Sequence, residues 1–286
     1  MAKTEEGHSI VARIRNHYEH LPKSERKLAD LILDFPGDIA GYSATELSEL
    51  SGVSKAAVTR LIRRLGFSNF EEARRMARDA KDWGSPLYLL SQDPGQAEIQ
   101  GALKHHMERD VANMIRTFEG LSEQTVERIV GTIAQAQKLS LLGFRNSHYL
   151  AAYAHRQFLQ LKDNVHLIDQ GGETLAEHLA GLGENDLLIA FGFRRRQEPF
   201  RNALKQAHSA GVPILYITDP TVGPTINYAK WVLHAEVAGV GVFDSYTAAM
   251  SLIHHLCSAL LTKTGQAGRE RLKRIEDLHD ALGDFG

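Results

Sequence analysis

Lys55, Thr59, Arg60, Arg63 and Arg64 recur at spacings that put them along the outer side of one α-helix, with the apolar Leu61, Ile62 and Leu65 turned inward. Ammonium and guanidinium groups in such a row neutralise phosphate oxygens, and hydroxyls and amides at a helix start can reach base edges. Duplex DNA offers both kinds of group to a helix lying in its major groove. Ser54, just ahead of this helix, and Thr45, in the helix before it, complete the candidate DNA-contacting set of Thr45, Ser54, Lys55, Thr59, Arg60, Arg63 and Arg64.

The elements that must position this row are legible in residues 45–67. Leu47, Val53, Val58 and Leu61 fall where two short helices joined by a tight turn pack together, which is helix-turn-helix spacing. Gly52 supplies the positive φ by which the chain leaves the first helix, and Ser48 is small enough for the helices to approach closely. Ser54 is placed to cap the second helix and Gly66 to end it. A helical hairpin with a solvated charged face is the competing reading. Glycine, cap and apolar offsets that all agree favour the DNA-binding one.

Charge supports this only locally. The 286-residue chain has a formal net charge of -2 and a pI near 6.7. Between Lys55 and Arg78, however, basic residues exceed acidic ones by five. A basic stripe on a mildly acidic protein favours nucleic acid over a membrane surface. The single cysteine, Cys257, excludes a disulfide framework and fits a reducing compartment. No apolar run suits a signal peptide or a membrane span, so the expectation is a cytoplasmic protein without a membrane partner.

The hydropathy pattern divides the chain in two. From Ile10 to about Lys81 the apolar period is helical throughout, broken at Pro36 and Gly37. Residues 87–96 read as a linker, and a helix from about Ala97 to Thr117 reads as a connecting or dimer helix. From about Leu121, helices alternate with short apolar runs at 139–144, 165–168, 187–192, 213–218 and 231–234. That pattern predicts an α/β domain with a doubly wound, five-stranded parallel sheet. Ligands of such sheets sit beyond the carboxyl ends of the strands, here residues 144–148, 169–173, 193–197, 219–223 and 236–246.

Three stretches, LPKSERKLADLILDFP (21–36), TELSELSGVSKAAVTRLIRRLGFSNFEEA (45–73) and the sheet opening at LLGFRNS, resemble the MurR/RpiR family of bacterial transcriptional regulators. The resemblance covers nearly the whole chain. It implies an all-α helix-turn-helix domain over residues 1–83, a linker and connecting helix over 84–120, a sugar isomerase (SIS) domain over 121–266 and a C-terminal helix over 267–286. It also implies a homodimer or homotetramer on a roughly palindromic operator, with the SIS domain sensing a small metabolite, often a phosphosugar.

The sequence departs from the family at the ligand loops. Where the family commonly carries G-x-G-x-S after the first strand, this chain reads Gly143, Phe144, Arg145, Asn146, Ser147. Where it carries S-x-S-G-x-T after the third, the chain has Gly192, Phe193, Arg194, Arg195, Arg196, Gln197. Arginines there could clamp a carboxylate or phosphate through paired hydrogen bonds. The candidate effector-binding residues are therefore Arg145, Asn146, Ser147, Arg194, Arg195 and Arg196, with Ser245 and Tyr246 where the family closes its pocket. Adjacent residues on one loop cannot all point into one pocket, so a solvated loop or an inter-subunit contact is the alternative for the arginine run.

Thr218 and Asp219 read as weaker candidates, because Thr-Asp-Pro after a strand is commonly turn chemistry. SIS-type isomerases need a base beside the sugar, for which Glu173 and His178 are the candidates. With the phosphate loop altered and a DNA-binding domain attached, the expectation is a regulator and not an enzyme. A sugar-phosphate isomerase and a non-specific DNA-binding protein remain the alternatives. No metal-ligand spacing and no G-x-G-x-x-G loop occurs, so neither a metal nor a cofactor is expected.

Overall fold

The computed structural model describes residues 10–34, 42–81, 102–169, 171–194, 196–220, 223–240 and 243–284. The break at Pro36–Gly37, the 87–96 linker, the start of the helix expected from Ala97, and Arg195 lie outside the described residues. The chain forms two compact units, one made chiefly of residues before 101 and the other of residues after it.

The first unit is helical: α1 (Ile10–His17), a 3-10 turn (Tyr18–His20), α2 (Lys23–Asp34), α3 (Ala44–Ser51), α4 (Lys55–Arg64) and α5 (Phe70–Lys81). Ile14, Leu28, Ile32, Leu47, Val58, Leu61 and Ile62 are buried together in one core. Each such side chain contributes about 2 kcal/mol of transfer free energy.

The ends of α3 and α4 are fixed by local chemistry. Ser43 and Glu46 form a reciprocal capping box at the start of α3. Gly52 leaves α3 at φ +63, and the Ser48 hydroxyl donates to the Val53 carbonyl at 2.6 Å. Ser48 is thus a tie across the turn as well as a small residue. Ser54 accepts from the Ala57 amide and caps α4. Gly66, at φ +81, turns the chain after α4.

The second unit begins with α6 (Ala102–Glu119) and α7 (Glu123–Gln135). It continues as β1 (Leu139–Gly143), α8 (Asn146–Leu159), β2 (Val165–Ile168), α9 (Leu175–Ala180), β3 (Leu187–Gly192), α10 (Glu198–Ser209), β4 (Ile214–Thr218) and, after a 3-10 turn (Pro224–Tyr228), β5 (Trp231–His234). It ends in α11 (Thr247–Thr264) and α12 (Gln266–Leu282).

All five strands are parallel, in the order β2-β1-β3-β4-β5. The central strands β1, β3 and β4 are buried on both faces, as their unbroken apolar runs predict. Leu139, Leu141, Ile189, Phe191 and Ile217 pack with Ile129, Phe158 and Leu252 from α7, α8 and α11. On the other face Tyr216 packs against Phe200 of α10. The strand order reverses between β1 and β3, and there the turns that follow Gly143 and Gly192 leave the sheet.

Helix α6 groups with the second unit, and its faces are inverted. Leu103, Met107, Val111 and Ile115, one turn apart, are exposed, whereas the polar Asn113 and Thr117 are buried.

Candidate functional site

The outer face of α4 is polar and solvated. Ser54, Lys55, Thr59, Arg60, Arg63 and Arg64 are exposed, and Thr45 of α3 is half-buried. The face is held from behind by a buried carboxylate. Glu25 of α2 lies 2.8 Å from Arg64 Nε and 3.5 Å from Arg60 Nε, while the two arginine side chains remain 42% and 57% exposed. Both guanidiniums are therefore anchored on one edge and still open to solvent. Arg13 donates to the Leu65 carbonyl and lies over the Phe67 ring, fixing the end of α4.

At the sheet rim, the turn after β1 folds tightly over Gly143, where a Cβ would overlap the Ser147 carbonyl. Arg145 sits at φ +55, ψ -128, a backbone conformation natural to glycine. The loop thus keeps a glycine-like shape with an arginine in place, at a cost of roughly 1–3 kcal/mol. Arg145 and Asn146 are exposed and Ser147 is buried.

After β3, Arg194 is also left-handed, at φ +50. Its amide donates to Asp219 Oδ2 at 2.6 Å, and its Nε lies 2.9 Å from Asp244 Oδ1. Arg196 turns back into the fold. Its guanidinium donates to the Gly192 and Arg194 carbonyls, the Tyr216 and Thr218 hydroxyls and Asp219 Oδ2. Arg196 is thereby committed to the loop and to the end of β4, and Arg145 and Arg194 hold the more outward charges.

Tyr246 reaches both loops. Its ring meets Phe193 edge-on at 5.6 Å, and its hydroxyl hydrogen-bonds Asn146. Burial, reinforced by Asp244, pushes this phenol above its ordinary pKa, so it stays a neutral hydroxyl. Burial also raises the Asp244 carboxyl, against the opposing pull of Arg194. Ser245, half-buried, bonds the Thr247 hydroxyl at the start of α11. Away from these loops, His178 Nε2 lies 3.2 Å from Glu173 Oε2, so the two base candidates pair with each other. Among the described residues no group of three or more His, Cys, Asp or Glu is placed to hold a metal ion.

Comparison with known proteins follows the division into two units. Residues 8–79 match the helix-turn-helix domain of the rpiR family, and residues 132–259 match the SIS domain. The chain belongs to the RpiR family of transcriptional regulators.

An HTH-type transcriptional regulator of uncharacterised role from Thermotoga maritima is 26% identical over 78% of this chain and 80% of its own length. The sugar isomerase domain of an RpiR transcription factor from Sphaerobacter thermophilus superposes with a TM-score of 0.59 at 24% identity, covering 62% of this chain and 99% of that one. The Vibrio vulnificus NanR protein, solved in complex with ManNAc-6P, superposes with a TM-score of 0.59 at 21% identity over 95% of this chain and 98% of its own. The RpiR fold expected from the sequence, a helical domain followed by a five-stranded parallel SIS sheet, is the fold observed.

What sequence reasoning missed in this RpiR chain is the counter-charge. Thr218 and Asp219 read as turn chemistry, yet they organise the β3 loop by receiving Arg196. Asp244 and Glu25 carried no signal, because their partners lie 50 and 39 residues away in sequence.

Proposed function

We propose that this chain is a sequence-specific DNA-binding regulator. Helix α4 enters the major groove, and the rim at the β1–β3 reversal binds a small anionic metabolite, a phosphosugar, sugar acid or other carboxylate, that alters operator affinity. The observation that carries the reading is the solvated polar face of α4, capped by Ser54 and anchored from behind through Glu25. Such a face suits base edges at its N-terminal end and phosphates along its arginines.

For the effector, support comes from two arginines held at the topological switch point on glycine-like backbones. Binding of ManNAc-6P by the structurally similar NanR makes hexosamine 6-phosphates the first compounds to try. Two copies in a homodimer or homotetramer would place their α4 helices on the half-sites of a roughly twofold operator, in the cytoplasm where the DNA lies.

The test is selection from a random duplex pool by the full-length protein at near-physiological salt. Enrichment of a twofold motif, lost in Arg60→Ala, supports the reading. Retention without a motif overturns sequence specificity, and turnover of a sugar phosphate by the same preparation overturns a purely sensory SIS domain.

A further inference from the structure

The rim carries its own anions. Four charges of alternating sign meet after β3 and before α11, and they form two unequal pairs. The inner pair, Arg196 and Asp219, is enclosed and held by hydrogen bonds to Gly192, Arg194, Tyr216 and Thr218. The outer pair, Arg194 and Asp244, has side chains 19% and 21% exposed, so solvent and solutes reach it. Its carboxylate is the displaceable one, because burial penalises the charged form of Asp244 where it sits and release into water relieves that penalty. A phosphate brings more charge and more acceptor oxygens to a guanidinium than one carboxylate does.

Asp244 is also connected to what lies beyond the rim. Two residues on, Tyr246 touches Asn146 and Phe193, and Ser245 donates its amide to the Val237 carbonyl. The same segment is stitched to one face of α6. Asp110 accepts from the Thr247 hydroxyl at 2.9 Å, Asn113 donates to the Ala238 carbonyl at 2.8 Å, and the Glu236 amide donates to Thr117 at 3.0 Å. Positions 110, 113 and 117 share that face, which explains why α6 is polar inward. The other carboxylate oxygen of Asp110 is buried without a hydrogen-bond partner, a cost the seam carries in the arrangement observed.

We propose that Asp244 is an internal competitor for the effector's anionic group: the ligand displaces it from Arg194, and the displaced segment shifts α6 through the Asp110, Asn113 and Thr117 bonds. This rests on the rim being the anion site. It adds that the unliganded chain holds a stand-in for its ligand, and that α6, the described helix following the DNA-binding unit in sequence, is where occupancy is passed on.

The experiment is calorimetric titration of full-length wild type, Asp244→Asn and Arg194→Ala with inorganic phosphate and with ManNAc-6P, alongside hydrogen exchange of residues 102–119. Asp244→Asn binds both anions about fivefold to tenfold more tightly than wild type, as expected when a partly exposed ion pair no longer competes, and Arg194→Ala binds them more weakly. Ligand slows or speeds exchange in α6 of wild type but leaves it unchanged in the Asn113→Ala, Thr117→Val double variant.

Equal or weaker binding by Asp244→Asn, and by Asp244→Ser as a second replacement should the first not fold, overturns the competitor while leaving the anion site standing. Wild-type binding without any change in α6 exchange overturns the transmission. Failure of every form to bind either anion overturns the anion site itself.

Discussion

Glu25 and Arg64 form an ion pair in which only one partner is sheltered: the carboxylate side chain is 2% exposed and the arginine side chain, whose Nε lies 2.8 Å away, is 42% exposed. Arg60 shares the same carboxylate at 3.5 Å. The basic face of α4 is therefore fastened to α2 by a charge opposite to its own.

Glu25→Gln tests both consequences of this fastening. Losing a buried carboxylate that serves two guanidiniums destabilises the first unit by about 1–2 kcal/mol, less than for a fully buried pair because solvent screens the arginines. The check is the midpoint of urea unfolding. The same change releases Arg60 and Arg64 toward phosphates, so operator binding falls more steeply with salt than in wild type. Arg63, exposed on the same helix, gives the contrasting case, since Arg63→Ala makes the salt dependence shallower by about one charge. Parallel salt slopes for wild type and Glu25→Gln would separate α4 from the phosphates.

Arg196 and Asp219 define a second expectation, this one structural. Arg196→Leu removes the guanidinium paired with the buried Asp219 carboxylate, a change that costs about 3–5 kcal/mol. Arg196→Lys restores the charge but not the planar fork that reaches Gly192, Tyr216 and Thr218 together, and it recovers only part of the loss. Thermal unfolding of the two variants beside wild type decides the point. A Leu variant as stable as wild type would mean that Asp219 finds another partner.

These pairs mark where the sequence stopped being informative. The α3–α4 turn was legible because Gly52, Ser54 and the Leu47 to Leu61 offsets act within one or two helical turns of one another. The parallel strands were legible because burial on both faces leaves continuous apolar runs. The direction of Arg196 was not legible. Three neighbouring arginines look alike until Asp219, on the next strand's end, and Asp244, ahead of α11, choose between the first and the third of them. The inverted faces of α6 were hidden for the same reason: Asp110, Asn113 and Thr117 find their partners more than a hundred residues later.

Cys257 offers a probe of the second unit. It is buried in α11 against the sheet, and burial pushes its thiol up to about 12. At neutral pH the thiolate that reacts with disulfide reagents is scarcely populated and also shielded. Labelling by a thiol reagent is expected to be negligible in the native protein and complete on unfolding, with a denaturant midpoint that reports the SIS domain alone, since no other cysteine is present. Rapid labelling without denaturant would show that α11 leaves the sheet in the native state.

Arg145 sets backbone comfort against charge. Its φ of +55 and ψ of -128 suit glycine, and its exposed guanidinium stands beside Asn146 at the reversal between β1 and β3. Arg145→Gly relieves the strain and gives back part of the gain as unfolded-state entropy, a net stabilisation of about 1 kcal/mol. The same change removes a positive charge from the rim, so phosphate binding weakens by roughly threefold to tenfold. Arg145→Ala separates the two effects: it keeps the strained backbone and loses the charge, and it is expected to bind phosphate as weakly as the glycine variant without any rise in unfolding temperature. If alanine and glycine stabilise alike, the strain is not in the backbone; if both bind phosphate like wild type, Arg145 faces solvent and the anion is held by Arg194.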